Sequence, residues 1–368
     1  MTNLTRRLAQ VFLTICLSIA GCTNSNQSVE PESKEAPKTD EIEPPIDPRS
    51  LSYQYQAEDL SLSQLVSDPK YHQAIDLYTK AIEADPQNTC AYEGRAYSYE
   101  RLEQYDKAIA DLTQIVAIEP QNISAYEKRA EIYYARLDKA DKAVVEMDKA
   151  IAFATQNKSE LLSRFKHPEF RFCRSSSIES LYTLRALILV KLEEFDRAIA
   201  DATQIIALRS MHTNYHFRAH VYRSAKQYKN AIADEDKAIA ISSEYAHAYN
   251  GRADSYGQLK QYDKAIADYT KAISLYGDRN SKERADAYLG RANVYRELKQ
   301  YDKAIADYDK SLAVYSQFAP VYKHRGELYK ELGKIDLAKQ DWSQAASLFK
   351  QQDNIEQYQI VRQQLQQL

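Results

Sequence analysis

An all-α solenoid of about eight helical hairpins is the fold that this sequence predicts, on three observations. The segment YDKAIADYTKAI, from Tyr262 to Ile273, recurs as YDKAIADYDKSL from Tyr301 to Leu312 and as YDKAIADLTQIV from Tyr105 to Val116. Looser copies begin at Tyr71, Ala140, Phe195, Tyr228 and Ile335. Aligned on their central alanines (Ala74, Ala108, Ala143, Ala198, Ala231, Ala265, Ala304 and Ala338), the copies step by 34, 35, 55, 33, 34, 39 and 34 residues, so the underlying period is 34. The third observation is a Tyr-x-x-Arg-Ala/Gly motif ahead of every copy but the first, at Tyr92, Tyr126, Tyr182, Tyr215, Tyr249, Tyr288 and Tyr322. Self-similarity at such a period marks stacked supersecondary units, each burying its apolar face against its neighbours.

Within the copied segment, Tyr262, Ala265, Ile266, Tyr269, Ala272 and Ile273 fall on the seam of a helix rather than on the alternation of a strand. The preceding motif places its tyrosine, its small residue and, in most units, a second tyrosine on one helical face: Tyr249, Ala253 and Tyr256 are an example. Each unit therefore reads as helix A, a short turn and helix B. These residues resemble the tetratricopeptide repeat family, whose helix A pattern appears here as Tyr249, Arg252, Ala253 and Tyr256, followed by Ala265, Tyr269 and Ala272. The resemblance covers about residues 54 to 349. It implies a right-handed superhelix whose A helices line a concave surface that holds a peptide. Two features depart from the family pattern: the closing proline survives only as Pro86 and Pro120, and an arginine stands in place of the apolar residue after the first aromatic.

The N-terminus is basic at Arg6 and Arg7, apolar from Leu8 to Ala20, and ends Ile-Ala-Gly-Cys at Cys22. This layout predicts a signal peptide over residues 1–21, and the junction resembles a bacterial lipobox, which implies that Cys22 is lipidated. Thr23 in place of aspartate points to the outer membrane in a two-membrane host. The rival is an uncleaved anchor with an incidental cysteine. Residues 22–50 carry five prolines and seven acids against Lys34, Lys38 and Arg49, and are expected to be a disordered tether with a reach of roughly 30 Å.

The repeats are expected over 51–350, beginning with a degenerate helix A that has no preceding neighbour to match. An insertion at 157–177 alternates Arg164, Lys166, Arg171 and Arg174 with Phe165, Phe170 and Phe172. It reads either as a contact for lipid head groups or nucleic acid, or as aromatic anchors beneath solvated charges, and export argues against nucleic acid. A smaller insertion precedes the seventh unit, near Gly277 to Glu283. Residues 351–368 form a capping helix with Ile355, Tyr358, Val361, Leu365 and Leu368 on one stripe; the same stripe would suit recruitment of a second copy.

Most of the 29 tyrosines fall on the recurring seam positions and are read as core, and Trp342 replaces the core aromatic of the last unit. Seven arginines in register (Arg95, Arg129, Arg185, Arg218, Arg252, Arg291 and Arg325) invite a polyanion groove. Each of their units also carries an acid three residues after the helix B alanine, namely Asp111, Glu146, Asp201, Asp234, Asp268, Asp307 and Asp341. The two signs are expected to pair as a structural ladder. On that expectation Arg252→Met is close to neutral and Asp268→Ala costs several times more.

Carried over from the resemblance, the concave peptide-binding surface includes Glu93, Tyr97, Glu127, Glu131 and Tyr134 at an acidic end. His216, His220, Arg223, His247, Asn250 and Asp254 form its centre, with Asn293 and Arg296 beyond, then Lys323 and Glu327. An acidic, tyrosine-bearing end suits a basic or aromatic peptide, and the histidines suit an anion or a proton-sensitive contact. His216, His220 and His247 also have ligand-like spacing for a metal, although ordinary hydrogen bonding accounts for them as well and no metal is assigned. Cys90 and Cys173 sit in different units, so a disulfide requires the insertion to fold back.

No phosphate loop, nucleophile elbow or Cys/His knuckle occurs, so an enzyme is not expected and no cofactor or small-molecule substrate is implied. Loss of Arg6 and Arg7 with the signal takes the formal charge from −3 to −5, against nucleic acid as a partner. The function expected is a membrane-anchored, non-enzymatic adaptor or assembly factor for envelope proteins, on the periplasmic or extracytoplasmic side. Alternatives are a pilus or secretion assembly lipoprotein, or a carrier of metal or glycan using the central histidines.

Overall fold

The computed structural model describes residues 48–62, 68–156, 177–277 and 281–367, which contain seventeen α-helices and no strand. Cys22, the signal, most of the tether and the insertion up to residue 176 lie outside the described residues. The chain divides between Leu184 and Arg185 into two compact units. In the first, α1 (Pro48–Leu62) pairs with α2 (Asp68–Ala84), α3 (Thr89–Arg101) with α4 (Tyr105–Ile118), and α5 (Ile123–Glu131) with α6 (Ala140–Gln156). Helix α7 (Ile178–Lys191) crosses the division and leads to α8 (Phe195–Leu208). The second unit continues with the pairs α9 (His212–Ser224) and α10 (Tyr228–Ile241), then α11 (Ala246–Gln258) and α12 (Tyr262–Tyr276). It ends with α13 (Ser281–Glu297) and α14 (Tyr301–Val314), α15 (Ala319–Glu331) and α16 (Ile335–Gln351), and the single helix α17 (Ile355–Gln366).

The copied segment is helix B in every case, and the Tyr-x-x-Arg motif lies on helix A. One residue in the left-handed region turns the chain between them: Glu103, Asp138, Glu193, Lys226, Lys260, Lys299 or Gly333, at φ between 56 and 71°. In the sixth hairpin the Gln261 N–H donates to the Tyr256 carbonyl at 2.9 Å, closing the end of α11. Only Gly333 adopts this conformation without steric cost. Asn88 and Asn122 cap α3 and α5, their side chains accepting from Ala91 N and Ala125 N at 3.0 Å.

Packing between units rests on a ring and a notch. Tyr78, Tyr269, Tyr308 and Trp342, at one repeat position of helix B, are buried. Tyr78 packs on Gly94 and Tyr269 on Gly290 in the following helix A, where a Cβ would fall 2.3 Å and 2.5 Å from the ring. The helix A tyrosines correct the expectation of a uniform tyrosine core. Apart from Tyr126 the openers are half-buried, with Arg252 Cζ at 5.5 Å from the Tyr249 centroid and Arg325 Cζ at 5.7 Å from that of Tyr322.

All seven pairs of the arginine ladder form. Six are bidentate, with Nε donating to one carboxylate oxygen at 2.6–2.8 Å and Nη2 to the other at 2.6–3.0 Å. Arg129 binds Glu146 through Nη2. A third arm was not foreseen. Nη1 reaches back to helix B of the preceding unit, at Thr79 from Arg95 (3.0 Å), Thr203 from Arg218 (3.0 Å) and Asp236 from Arg252 (2.6 Å). Each such arginine therefore joins three helices and two repeats.

The ends depart slightly from expectation. Helix α1 begins at Pro48, three residues inside the stretch expected as tether, and it is polar where it packs: Ser50 Oγ donates to the Ala81 carbonyl at 2.8 Å, and Asn88 Nδ2 donates to Ser50 and Gln54. In α17, Val361 is buried beside Trp342 and Phe349, with Tyr358 and Leu365 partly covered, whereas Ile355 is 49 % exposed. Cys90 is disulfide-bonded.

Candidate functional site

In the second unit, the A helices α9, α11, α13 and α15 lie next to one another in that order. Glu235 of α10 is the organising residue of this row, with a side chain that is 0 % exposed. Its carboxylate lies 3.0 Å from His216 Nδ1 through either oxygen, and Oε1 accepts from Arg223 Nη1 at 2.5 Å. The pair rests on Gly251, where a Cβ would come within 2.3 Å of Glu235 Oε1 and 2.5 Å of Arg223 Nη1. Asp254 Oδ1 accepts from the Tyr269 hydroxyl at 2.5 Å, and Asn293 Oδ1 from the Tyr308 hydroxyl at 2.7 Å. Arg296 on α13 donates to Glu327 at 3.1 Å and to Glu331, both on α15. Lys323 Nζ donates to Gln357 of α17 at 2.9 Å.

Five rings form a connected series beside Glu235. His212 and Tyr245 have centroids 4.7 Å apart, His216 and Tyr245 5.4 Å, Tyr245 and His247 5.4 Å, and His247 and Tyr276 5.2 Å. The Tyr276 hydroxyl is 3.2 Å from His247 Nδ1. Burial, then the charge of Arg223 and the ring of His216, push the His220 imidazole down to about 3; burial and His216 push His247 down to about 4. Burial also raises the Tyr245, Tyr269 and Tyr276 hydroxyls and the Asp254 carboxyl. Burial works against Glu327, yet His324 and Arg296 hold it down to about 2.

These facts bear on two readings of the central histidines. His216 and His247 stand 6.1 Å apart as rings, and among the described residues no three His, Cys, Asp or Glu side chains are grouped so as to hold a metal ion. The anion reading of the histidines loses its support, because burial holds His220 and His247 uncharged at neutral pH and His216 faces Glu235.

In the first unit, the predicted acidic end contains a cation that the repeat pattern alone did not place there. Lys128 Nζ lies 3.3 Å from Glu93 Oε1, and Ser124 Oγ donates to the same oxygen at 2.9 Å. Ser180 Oγ donates to Glu127 at 3.2 Å, and Tyr97 meets Tyr71 edge-on at 6.3 Å. A crevice is lined by Ala96, Tyr97, Glu100, Leu112, Lys128 and Ile132. Glu131 is pushed up to about 8, first by burial and then by Glu127, with Lys128 opposing. Tyr134 is 4 % exposed, turned into the packing and not onto the surface. It lies in a π-helical turn, Ile132–Arg136, that prolongs α5, and one extra residue in a turn rotates the succeeding side chains by about 100° off the expected face.

Family models described as tetratricopeptide repeat match residues 65–132, 246–278 and 283–351. The chain carries tetratricopeptide repeats. Among solved structures, these repeats resemble a tetratricopeptide repeat protein from Parabacteroides merdae, with TM-score 0.50 and 16 % identity over 79 % of this chain and 98 % of that one. They also resemble the C-terminal part of a repeat-containing protein from Cytophaga hutchinsonii, with TM-score 0.52 and 16 % identity over 74 % of this chain and 97 % of that one. At such identity the likeness is one of fold. No curated protein matches the chain.

Glu235, Tyr245, Tyr276 and Lys128 were missed as site residues. Two of them had a signal in the repeat alignment. Glu235 stands where other copies have Tyr78, Tyr269, Tyr308 and Trp342, and Lys128 stands where other motifs have Gly94, Gly251 and Gly290. Tyr245 and Tyr276 lie at helix boundaries, and only the folded chain brings them to the histidines.

Proposed function

We propose that the protein is a membrane-anchored tetratricopeptide adaptor or assembly factor of the bacterial cell envelope, with no catalytic activity of its own. The observation that carries the reading is the row of polar side chains on the successive A helices α9, α11, α13 and α15, which lie partly open to solvent, with Arg296 of α13 bonded to Glu327 of α15. Such a row offers an extended segment of a partner many weak, directional contacts, and the repeat fold keeps it rigid. Among the described residues no helix is long and apolar enough to cross a membrane. The Ile-Ala-Gly-Cys junction at Cys22 supports anchoring by lipid on that residue, followed by the tether, which would hold the repeats and their client near the bilayer and raise their effective concentration.

The test has two arms. Labelled palmitate should enter the protein in cells and be lost on Cys22→Ala. A photo-crosslinking residue in place of Glu331, which is exposed on α15, should capture one dominant envelope protein. Capture of lipid or of further copies of the chain alone would end the adaptor reading.

A further inference from the structure

We propose that Cys90 is joined to Cys173 by its disulfide, and that the bond staples hairpins two and three so that the acidic end of the first unit keeps its geometry only in an oxidising compartment. The pairing rests on the lipid anchor proposed above. Cys90 stands at the start of α3, half-buried, and is disulfide-bonded. Three other cysteines occur in the chain, Cys16, Cys22 and Cys173. The first leaves with the signal and the second carries lipid through its sulfur, which leaves Cys173. That residue lies outside the described residues, and the described ones nearest to it in sequence supply the distance argument.

The packing of the first unit brings the two cysteines within reach. Thr89 Oγ1 at the start of α3 donates to Glu119 Oε1 at 2.9 Å, and Asn122 Nδ2, from the cap of α5, donates to Glu119 Oε2 at 2.8 Å. Ser124 of α5 donates to Glu93 of α3 at 2.9 Å, and Ser180 of α7 to Glu127 of α5 at 3.2 Å. The helix A beginnings therefore lie in the order α3, α5, α7. Neighbouring helices pack about 8–10 Å apart, so α7 and α3 are separated by roughly 16–20 Å at this end. Cys173 precedes Ser177 by four residues, which span at most about 14 Å, and a disulfide adds a Cα to Cα step of about 4–7 Å. The sum meets the gap.

The bond closes a ring from Cys90 to Cys173 that contains α3 to α6, and with them Glu93, Tyr97, Glu127, Lys128 and Glu131. The constraint on the unfolded chain grows with the ring, so one of this length falls in the upper part of the usual range for a single disulfide. A repeat array opens most readily from its ends, where a hairpin has one neighbour, and the ring begins at the hairpin next to the N-terminal one. Formation takes two protons and two electrons from the thiols; a disulfide exchange partner accepts them and becomes a dithiol. A thiol-reducing compartment runs the step backwards.

The full chain is taken from cells, its free thiols are alkylated, and it is cut with trypsin without reduction. Mass spectrometry should find residues 81–95 joined to residues 172–174, a pair that separates on reduction with a gain of two hydrogens. Reduction of the full chain with a phosphine should quicken hydrogen exchange about 30- to 700-fold across α3 to α6 and leave α9 to α16 unchanged. Cys173→Ser, which leaves α3 unaltered, should match the reduced protein, and adding Cys90→Ser should change nothing further. An alkylated Cys90, a bond from Cys90 to Cys22 or to a second copy, or exchange that does not respond to reduction overturns the proposal. Labelled palmitate keeps the two readings apart. Palmitate on Cys22 with a free Cys90 thiol leaves the anchor and removes the bond, whereas the joined peptides without palmitate keep the bond and remove the anchor.

Discussion

The rung between Arg252 and Asp268 gives the sharpest test of how this solenoid is held together. Arg252 donates to Asp268 through Nε at 2.7 Å and Nη2 at 2.8 Å, and to Asp236 through Nη1 at 2.6 Å. The side chains of Arg252, Asp268 and Asp236 are 18 %, 11 % and 52 % exposed. Arg252→Met strands the more deeply buried partner, since among the described residues no other cation is within ion-pair distance of Asp268. Removing one member of a wholly buried pair costs about 3–5 kcal/mol. Partial access of water to Asp268 lowers that to about 2–3 kcal/mol. In Asp268→Ala the guanidinium keeps Asp236 and its place over Tyr249, so about 1–2 kcal/mol is expected. The order expected from sequence, with the arginine the cheaper loss, is therefore reversed. Arg252→Met combined with Asp268→Leu removes both charges and should cost about 1 kcal/mol or less, giving a coupling of about 2–3 kcal/mol. Urea unfolding fitted with a nearest-neighbour repeat model, together with hydrogen exchange of α11 and α12, measures these values, because a repeat array need not unfold in two states. Single costs that simply add in the double variant would refute the ladder as an energetic unit.

Turn strain and buried ionisable groups set three more expected outcomes. Lys260 holds φ 58° in the turn after α11, and Lys260→Gly should raise stability by about 0.5–1 kcal/mol in urea unfolding, whereas no gain would mean that the turn is not strained. His220 and His247 have folded pKa values of about 3 and about 4. Their unfolded value of about 6.5 means that the unfolded chain gains protons first, so stability is present above that pH and falls as pH drops toward 4. The loss between about pH 7 and 5 should be about 2–4 kcal/mol before solvent screening, and His220→Gln with His247→Gln should flatten the profile. Glu131 has the opposite sign: its folded pKa of about 8 lies above the unfolded value, so its penalty is absent below about pH 4 and grows as pH rises to 8. Glu131→Gln should stabilise the first unit by about 1–3 kcal/mol at pH 8 and by nothing near pH 4; an equal gain at both would exclude titration as its cause.

Much of the fold is written locally. The spacing of Tyr262, Ala265, Ile266 and Tyr269 makes a helix whatever surrounds it, and repetition of that spacing at a period of 34 fixes the number and order of the hairpins. The arginine ladder was legible for the same reason, since two signs that occur together in seven units must meet if they are buried. The third arm of each arginine was not, because Thr79, Thr203 and Asp236 belong to the preceding repeat and no periodicity within one unit reveals contacts between units. The π-helical turn that carries Tyr134 away from the surface also escaped, since one extra residue of winding leaves no mark in composition.

The sequence by itself determined an all-helical repeat array, the faces of its helices and the residues available for recognition, because helix periodicity and repeat length depend on neighbours along the chain. The tertiary structure alone decided what those residues do. It committed Arg223 to Glu235, inserted Lys128 among the acids and drew Tyr245 and Tyr276 to the histidines. Charge and protonation at a site depend on what lies within a few ångströms in space, and that distance is set by the packing of one repeat on the next.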